Sequence, residues 1–79
     1  MELQEIKALL ERQIPDAIIE IEGDGYHFQV TVISHVFVDK TPVKKQQLVY
    51  AALNEQIVSG AIHAISIKTY TPDEWQQRS

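Results

Sequence analysis

A glycine-rich turn between two segments with strand patterns is the strongest constraint on the fold. Residues 17–22 and 26–34 both alternate apolar and polar side chains, and both are rich in β-branched or aromatic residues. The Gly-Asp-Gly sequence at 23–25 is a tight-turn signal, so the two segments are predicted to form an antiparallel hairpin. On the second strand, the alternation places Phe28 on an apolar face and His27 at the start of the more polar face.

The segments on either side of the hairpin carry helical patterns. Apolar residues recur at steps of three and four from Leu3 to Ile14, which predicts a first helix that ends before Pro15. A second helix is predicted to begin at Pro42 and to end at Ser59, with Gly60 as its C-terminal cap. The apolar face of this helix is expected to contain Val43, Leu48 or Val49, Ala52, Leu53 and Ile57, and its solvent side Lys44, Lys45, Gln46 and Gln47.

The C-terminal segment changes from a strand pattern to a helix start within a few residues. Residues 61–70 are dense in apolar and β-branched side chains and contain no Pro or Gly. They therefore predict a third strand, with His63 near its beginning. Thr71 can then cap a short helix, because Pro72 suits the first helical position and Glu74 lies three residues after the cap.

The order helix, strand, strand, helix, strand, helix predicts an α+β fold formed by one domain over residues 1–79, with helices on one face of a three-stranded sheet. The chain has no cysteine, which excludes disulfides and agrees with a cytoplasmic location. No apolar run approaches the roughly 20 residues that a membrane-spanning helix needs, so no membrane association is expected. The net charge of −4 argues against strong sequence-independent binding to nucleic acids.

Three segments carry a more specific pattern. They are Gly-Asp-Gly-Tyr-His-Phe-Gln-Val at 23–30, Val-Lys-Lys-Gln-Gln-Leu-Val-Tyr at 43–50, and the run at 62–75, where a His-Ala strand start precedes Tyr-Thr-Pro and Glu-Trp. Together they resemble the BolA family, in particular its compact IbaG/YrbA type. The resemblance implies the order α-β-β-α-β-α and a topology similar to that of class II KH domains.

The resemblance to the BolA family also implies two activities. One is the sharing of a [2Fe-2S] cluster with a monothiol glutaredoxin, in iron-sulfur cluster trafficking or iron homeostasis. The other is DNA binding and transcriptional regulation, in the stress response and in the control of cell shape. These two activities involve different parts of the chain.

The available side chains agree with a shared cluster. A [2Fe-2S] cluster needs four protein-type ligands, normally thiolates, and histidine is an accepted substitute. The chain offers three histidines and no thiol, so it could supply one or two imidazoles. The remaining ligands would come from a cysteine of the glutaredoxin and from glutathione, and the active species would be a hetero-complex.

His63 matches the histidine that the family places near the start of the last strand, and it is the predicted main ligand. It would bind as a neutral imidazole through one nitrogen, while a hydrogen bond to the other nitrogen would fix its tautomer. The second ligand stays open, because many family members have Cys or His in the hairpin loop and residues 23–25 contain neither. His27, just after the turn, is the nearest imidazole, and Asp24 within the turn is a less favoured alternative. His35 has no motif in its support.

The alternative function, a DNA-binding regulator, depends on residues 37–53, which match the helix-turn-helix region described for the family. Lys40, Lys44 and Lys45 would form a basic patch that contacts phosphates. The connection at 36–41 contains no glycine and therefore lacks the GXXG loop of nucleic-acid-binding KH domains. KH-like topology alone does not establish function.

Catalysis is not expected, because the sequence has no nucleophile elbow, phosphate loop or HExxH motif. The sequence therefore predicts a non-catalytic adaptor that binds a monothiol glutaredoxin and shares its cluster. His63 is the predicted main ligand and His27 the candidate second ligand.

Overall fold

The computed structural model describes residues 2–78, and its elements follow the predicted order. Met1 and Ser79, the two ends of the predicted domain, lie outside the described residues. None of the helices in residues 2–78 is both long and apolar enough to cross a membrane. The elements are α1 (Leu3–Gln13), β1 (Ile18–Gly23), β2 (His27–Ile33), a 3-10 helix (His35–Phe37), α2 (Pro42–Val58), β3 (Ala64–Tyr70) and α3 (Pro72–Gln77).

The sheet has the strand order β1-β2-β3, so β2 is its central strand. β1 and β2 form the predicted antiparallel hairpin. β2 and β3 are parallel, with His27 paired to Ala64 at one end and Ile33 paired to Tyr70 at the other. This pairing is possible because α2 carries the chain back along the sheet between the two strands. The N-terminal ends of β2 and β3 therefore meet beside the hairpin turn; residues 23–27 and 61–64 are called the hairpin end below.

Helices α1 and α2 cover one face of the sheet, as predicted. The other face is open, and it is lined by the polar or charged side chains of Glu20, Glu22, Gln29, Thr31, Ser66 and Lys68. The alternation along β2 separates these two faces as the sequence indicated, with Phe28 in the core and Gln29 exposed. The buried cluster between the helices and the sheet contains Ile6, Leu10, Ile14, Ile19, Phe28, Val30, Val32, Phe37, Val49, Leu53 and Ile62.

The core-facing side of α2 differs from the predicted one at Val43 and Gln46, and Lys45, also expected in solvent, is largely buried. Val43 was expected in the core but is 64% exposed. Gln46 was expected in solvent, yet its Nε2 donates a hydrogen bond to the carbonyl of Ile67 in β3 at 3.2 Å. A rotation of about 100° per residue explains both, because it places Gln46 roughly 20° and Val43 roughly 80° from buried Leu53 around the helix axis. The predictions for Val49, Leu53, Ala52 and Ile57 are confirmed.

Asp16 connects the segment before β1 to the end of β2. Its carboxylate accepts a hydrogen bond from the hydroxyl of buried Ser34 at 2.7 Å and another from the backbone N–H of His35 at 3.2 Å. The hydrogen bond from Ser34 is the main reason why the pKa of Asp16 lies below its usual value of 3.8. The ionised form of Asp16 therefore stabilises the fold.

Replacing Asp16 by alanine is expected to lower the free energy of unfolding by about 1–2 kcal/mol at neutral pH, because the buried hydroxyl of Ser34 loses its hydrogen-bond acceptor. The loss is no larger because the carboxylate of Asp16 is exposed to solvent. A carboxyl group whose pKa is lower in the folded state than in the unfolded state stabilises the fold at pH values above its unfolded-state pKa. This contribution is lost as the pH falls through the folded-state pKa. Urea unfolding of the wild type and the variant at about pH 7 and about pH 2.5 measures the difference.

The matched control is Asp16→Asn, whose amide oxygen can still accept the hydrogen bond from Ser34 but does not titrate. We expect this variant to retain most of the stability at neutral pH and to show little dependence of that stability on pH. Equal destabilisation of Asp16→Ala at both pH values would show that the ionised carboxylate is not the stabilising group.

Candidate functional site

The backbone of the hairpin turn is held by the side chain of Asp24. Its Oδ1 accepts hydrogen bonds from the N–H groups of His27 at 2.8 Å and Tyr26 at 2.9 Å. These bonds lower the pKa of the Asp24 carboxyl below its usual value of 3.8, and the bond from His27 contributes most. Gly25 has a φ of +92°, in the left-handed region that favours glycine. The carboxylate of Asp24 thus acts within the turn that positions Tyr26 and His27.

Gly23 brings the end of β1 into close contact with the start of β2. A Cβ atom at this position would lie 2.5 Å from the carbonyl oxygen of His27 and 2.9 Å from the ring of Phe28. Only glycine allows this approach without a backbone shift. The position of His27 therefore depends on the lack of a side chain at Gly23.

The parallel pairing of β2 and β3 brings both predicted ligand histidines to the hairpin end. His27 is the first residue of β2 and pairs with Ala64 in β3. His63 is the residue before Ala64, so it lies one position away from the pairing partner of His27. His63 precedes β3 by one residue, whereas the sequence placed it inside the strand. The strand begins later because the N–H of Ile62 still donates to the carbonyl of Gln56 in the last turns of α2. Both histidines are exposed.

The imidazole of His63 stacks on the phenol ring of Tyr26. The ring centroids are 4.8 Å apart and the ring planes are inclined by 13°. The expected hydrogen bond that would fix the tautomer of His63 is not observed: within residues 2–78, neither ring nitrogen has a hydrogen-bond partner. The stack contacts the face of the imidazole, whereas the N–H of one ring nitrogen and the lone pair of the other lie in the ring plane. Both nitrogens of His63 therefore remain accessible.

His27 has different surroundings from those of His63. Its Nε2 lies 3.4 Å from Oγ of Ser66, a long and weak hydrogen bond on the open face of the sheet. The ring of His27 thus contacts β3, while the ring of His63 contacts the turn. The structure brings the two predicted ligands to the same end of the sheet but gives each imidazole its own neighbour.

His35 lies at the other end of the sheet from His27 and His63. It lies two residues after Ile33, the last of the seven residues of β2. At about 3.3 Å per residue, the two ends of β2 are roughly 20 Å apart. His35 therefore cannot act together with the other two histidines in one site of this chain.

The three lysines of the alternative prediction lie near the start of α2, away from the hairpin end. Lys40 and Lys44 are exposed. Lys45 is largely buried, and its Nζ lies 3.7 Å from the carboxylate of Glu74 in α3. The element before α2 is a 3-10 helix of three residues, in place of the first helix of a helix-turn-helix. The DNA-binding alternative thus stays a prediction that depends mainly on two exposed lysines.

The donor set at the hairpin end fits part of a metal centre. Within residues 2–78, no group of three or more His, Cys, Asp or Glu side chains is arranged to hold a metal ion. An accessible imidazole of His63, with His27 nearby, can contribute one or two of the four ligands that a [2Fe-2S] cluster needs. Any such cluster would need its remaining ligands from outside this chain, which contains no cysteine.

Comparison with known proteins identifies the class of this domain. The family model for BolA-like protein matches residues 4–74. The chain is 45% identical over 75 residues to the acid stress protein IbaG of Escherichia coli (strain K12), an alignment that covers 95% of this chain and 89% of that protein. The chain therefore belongs to the BolA family.

Solved structures of BolA proteins share the fold. A bolA protein homologue from Coxiella burnetii superposes with a TM-score of 0.85 at 37% identity, covering 98% of this chain and 99% of that chain. The BolA domain of SufE1 from Arabidopsis thaliana superposes with a TM-score of 0.77 at 28% identity, covering 90% of this chain and 92% of that domain. These similarities agree with the predicted α-β-β-α-β-α order.

Proposed function

We propose that this protein is a non-catalytic adaptor that binds a monothiol glutaredoxin and contributes imidazole to a [2Fe-2S] cluster held between the two proteins. The cluster is the cargo of the pair, in iron-sulfur trafficking or iron homeostasis. Membership of the BolA family supports the proposal. The observation that carries it is the exposed imidazole of His63, whose two nitrogens are free of hydrogen bonds within residues 2–78.

The distribution of ligands in the chain supports a shared centre. The hairpin end contains two histidines, and the third lies about 20 Å away along β2. With no thiol of its own, the chain depends on a cysteine of the glutaredoxin and on glutathione for the other ligands. Exchange of a thiolate for a neutral imidazole makes the net charge of the centre less negative and raises its reduction potential. The adaptor would thereby change how readily the cargo is reduced and released.

The test is a titration of cluster-loaded monothiol glutaredoxin with this protein, followed by visible absorption and circular dichroism. We expect the cluster spectrum to change and the change to saturate, because an imidazole replaces another ligand. Only neutral imidazole can ligate, so the same titration at about pH 5.5 should produce less of the changed spectrum than at about pH 7.5.

Cluster-loaded glutaredoxin without the adaptor, kept at each pH, is the control for acid lability of the cluster itself. A spectrum that does not respond to the adaptor would overturn the cluster-sharing proposal. A response of equal size at both pH values would exclude histidine as the ligand that this chain supplies.

A further inference from the structure

Tyr26 is the residue that contacts the imidazole of His63, and the sequence did not single it out. We propose that Tyr26 is the positioning residue of His63: its ring stacks on the imidazole and holds the nitrogen-bearing edge in the orientation that a partner's cluster requires. The inference rests on the proposed function for the ligand role of His63. The stack itself is a property of this chain alone, so it can be tested without a partner.

The position of the Tyr26 ring is explained by His63 rather than by the core. Tyr26 is 63% exposed, and it is not part of the buried cluster. Its ring nevertheless lies nearly parallel to the imidazole, with a centroid separation of 4.8 Å. This separation is within the range of favourable aromatic pairs, which contribute about 0.5–1.5 kcal/mol.

Both sides of the stack begin from a fixed backbone. Tyr26 follows Gly25 in the turn, and its N–H donates to Oδ1 of Asp24 at 2.9 Å. His63 follows Ile62, which is 3% exposed and whose N–H donates to the carbonyl of Gln56 at 3.0 Å. The two rings therefore meet from anchored positions, and their contact restricts rotation of the imidazole.

The stack can take the place of the hydrogen bond that usually orients a metal-ligating histidine. Such a histidine normally donates its second N–H to a carboxylate, a carbonyl or a water. Within residues 2–78 His63 has no such acceptor, and its only aromatic contact is Tyr26. Stacking acts on the ring face, whereas ligation uses a lone pair in the ring plane. Tyr26 can therefore orient His63 without occupying either nitrogen.

The test compares Tyr26→Ala with Tyr26→Phe, which keeps the stack and removes only the hydroxyl. In the free protein, NMR of the histidine ring protons should show His63 losing its ring-current shielding in Tyr26→Ala but not in Tyr26→Phe. His27 is the internal control, because its ring contacts Ser66 instead of Tyr26. Its signals should change little in either variant.

The second readout is the titration of cluster-loaded monothiol glutaredoxin. Loss of an outer contact that orients a ligand typically costs 10- to 100-fold in metal affinity, so we expect Tyr26→Ala to need about 10-fold more protein for half of the spectral change. Tyr26→Phe should titrate like the wild type.

Three results would overturn the positioning role. The His63 signals of Tyr26→Ala could match those of the wild type, which would show that the stack does not exist in solution. The His63 signals of Tyr26→Ala could change while its cluster titration stays like that of the wild type. The proposed function would then stand, but Tyr26 would have no part in it. Tyr26→Phe could be as weak as Tyr26→Ala, which would assign the effect to the hydroxyl. A wild type that leaves the cluster spectrum unchanged would instead refute the proposed function and with it this inference.

Discussion

Replacing His63 by alanine is expected to abolish the change that this protein causes in the spectrum of a cluster-loaded monothiol glutaredoxin. The variant removes the predicted main ligand, and the chain has no thiol that could replace it. His35→Ala is the matched control, because it removes an exposed imidazole at the other end of the sheet. We expect His35→Ala to reproduce the wild-type titration.

The His63→Ala variant should remain folded. His63 is exposed, and the loss of its stack with Tyr26 should cost about 0.5–1.5 kcal/mol of the free energy of unfolding. Far-ultraviolet circular dichroism and urea unfolding verify this before the titration. A folded His63→Ala protein that changes the cluster spectrum as the wild type does would rule out ligation by His63.

Replacing Phe28 by alanine is expected to have the largest effect on stability, a loss of about 3–5 kcal/mol. Phe28 is completely buried and belongs to the central strand. Its removal would leave a cavity between the sheet and the helices, where the neighbouring side chains cannot fully close it. A chain of this length is expected to have a total stability of about 4–12 kcal/mol, so a large part would be lost.

Tyr26→Ala is the matched control for this prediction, because it truncates an aromatic residue two positions away that is 63% exposed. Its loss should be about 0.5–1.5 kcal/mol, the contribution of an aromatic stack. Urea denaturation of the two variants and the wild type measures both values. Similar losses for Phe28→Ala and Tyr26→Ala would mean that Phe28 is not the core residue that its burial indicates.

Local signals in the sequence were sufficient for the elements and their ends. The Gly-Asp-Gly turn predicted the hairpin, and Asp24 and Gly25 form it as expected. Thr71 and Glu74 form the predicted capping box at the start of α3, with hydrogen bonds of 2.8 and 3.2 Å. These signals are reliable because each acts between residues that are at most a few positions apart.

The faces of the elements were predictable only where one pattern dominated. Along β2 the alternation separated Phe28 from His27 correctly, because a strand has only two faces, but it ends at Ile33, which is buried like Val32 before it. Along α2 apolar residues occur on more than one side of the helix, so the sequence did not define a single buried face. Val43 was placed in the core and Gln46 outside it, and both predictions were wrong. The direction of the helix over β3, which the sequence pattern did not contain, decides which of its sides is buried.

The sequence by itself determined the order of the elements, the hairpin, the family and His63 as the leading candidate ligand. Only the tertiary structure decided that β2 and β3 are parallel, which brings His27 to the same end as His63. It also decided the stack of His63 on Tyr26 and the ion pair between Lys45 and Glu74. The reason is physical: these contacts join residues that are far apart in the chain. They form only when the packing of α1 and α2 on the sheet has fixed the register and direction of each strand.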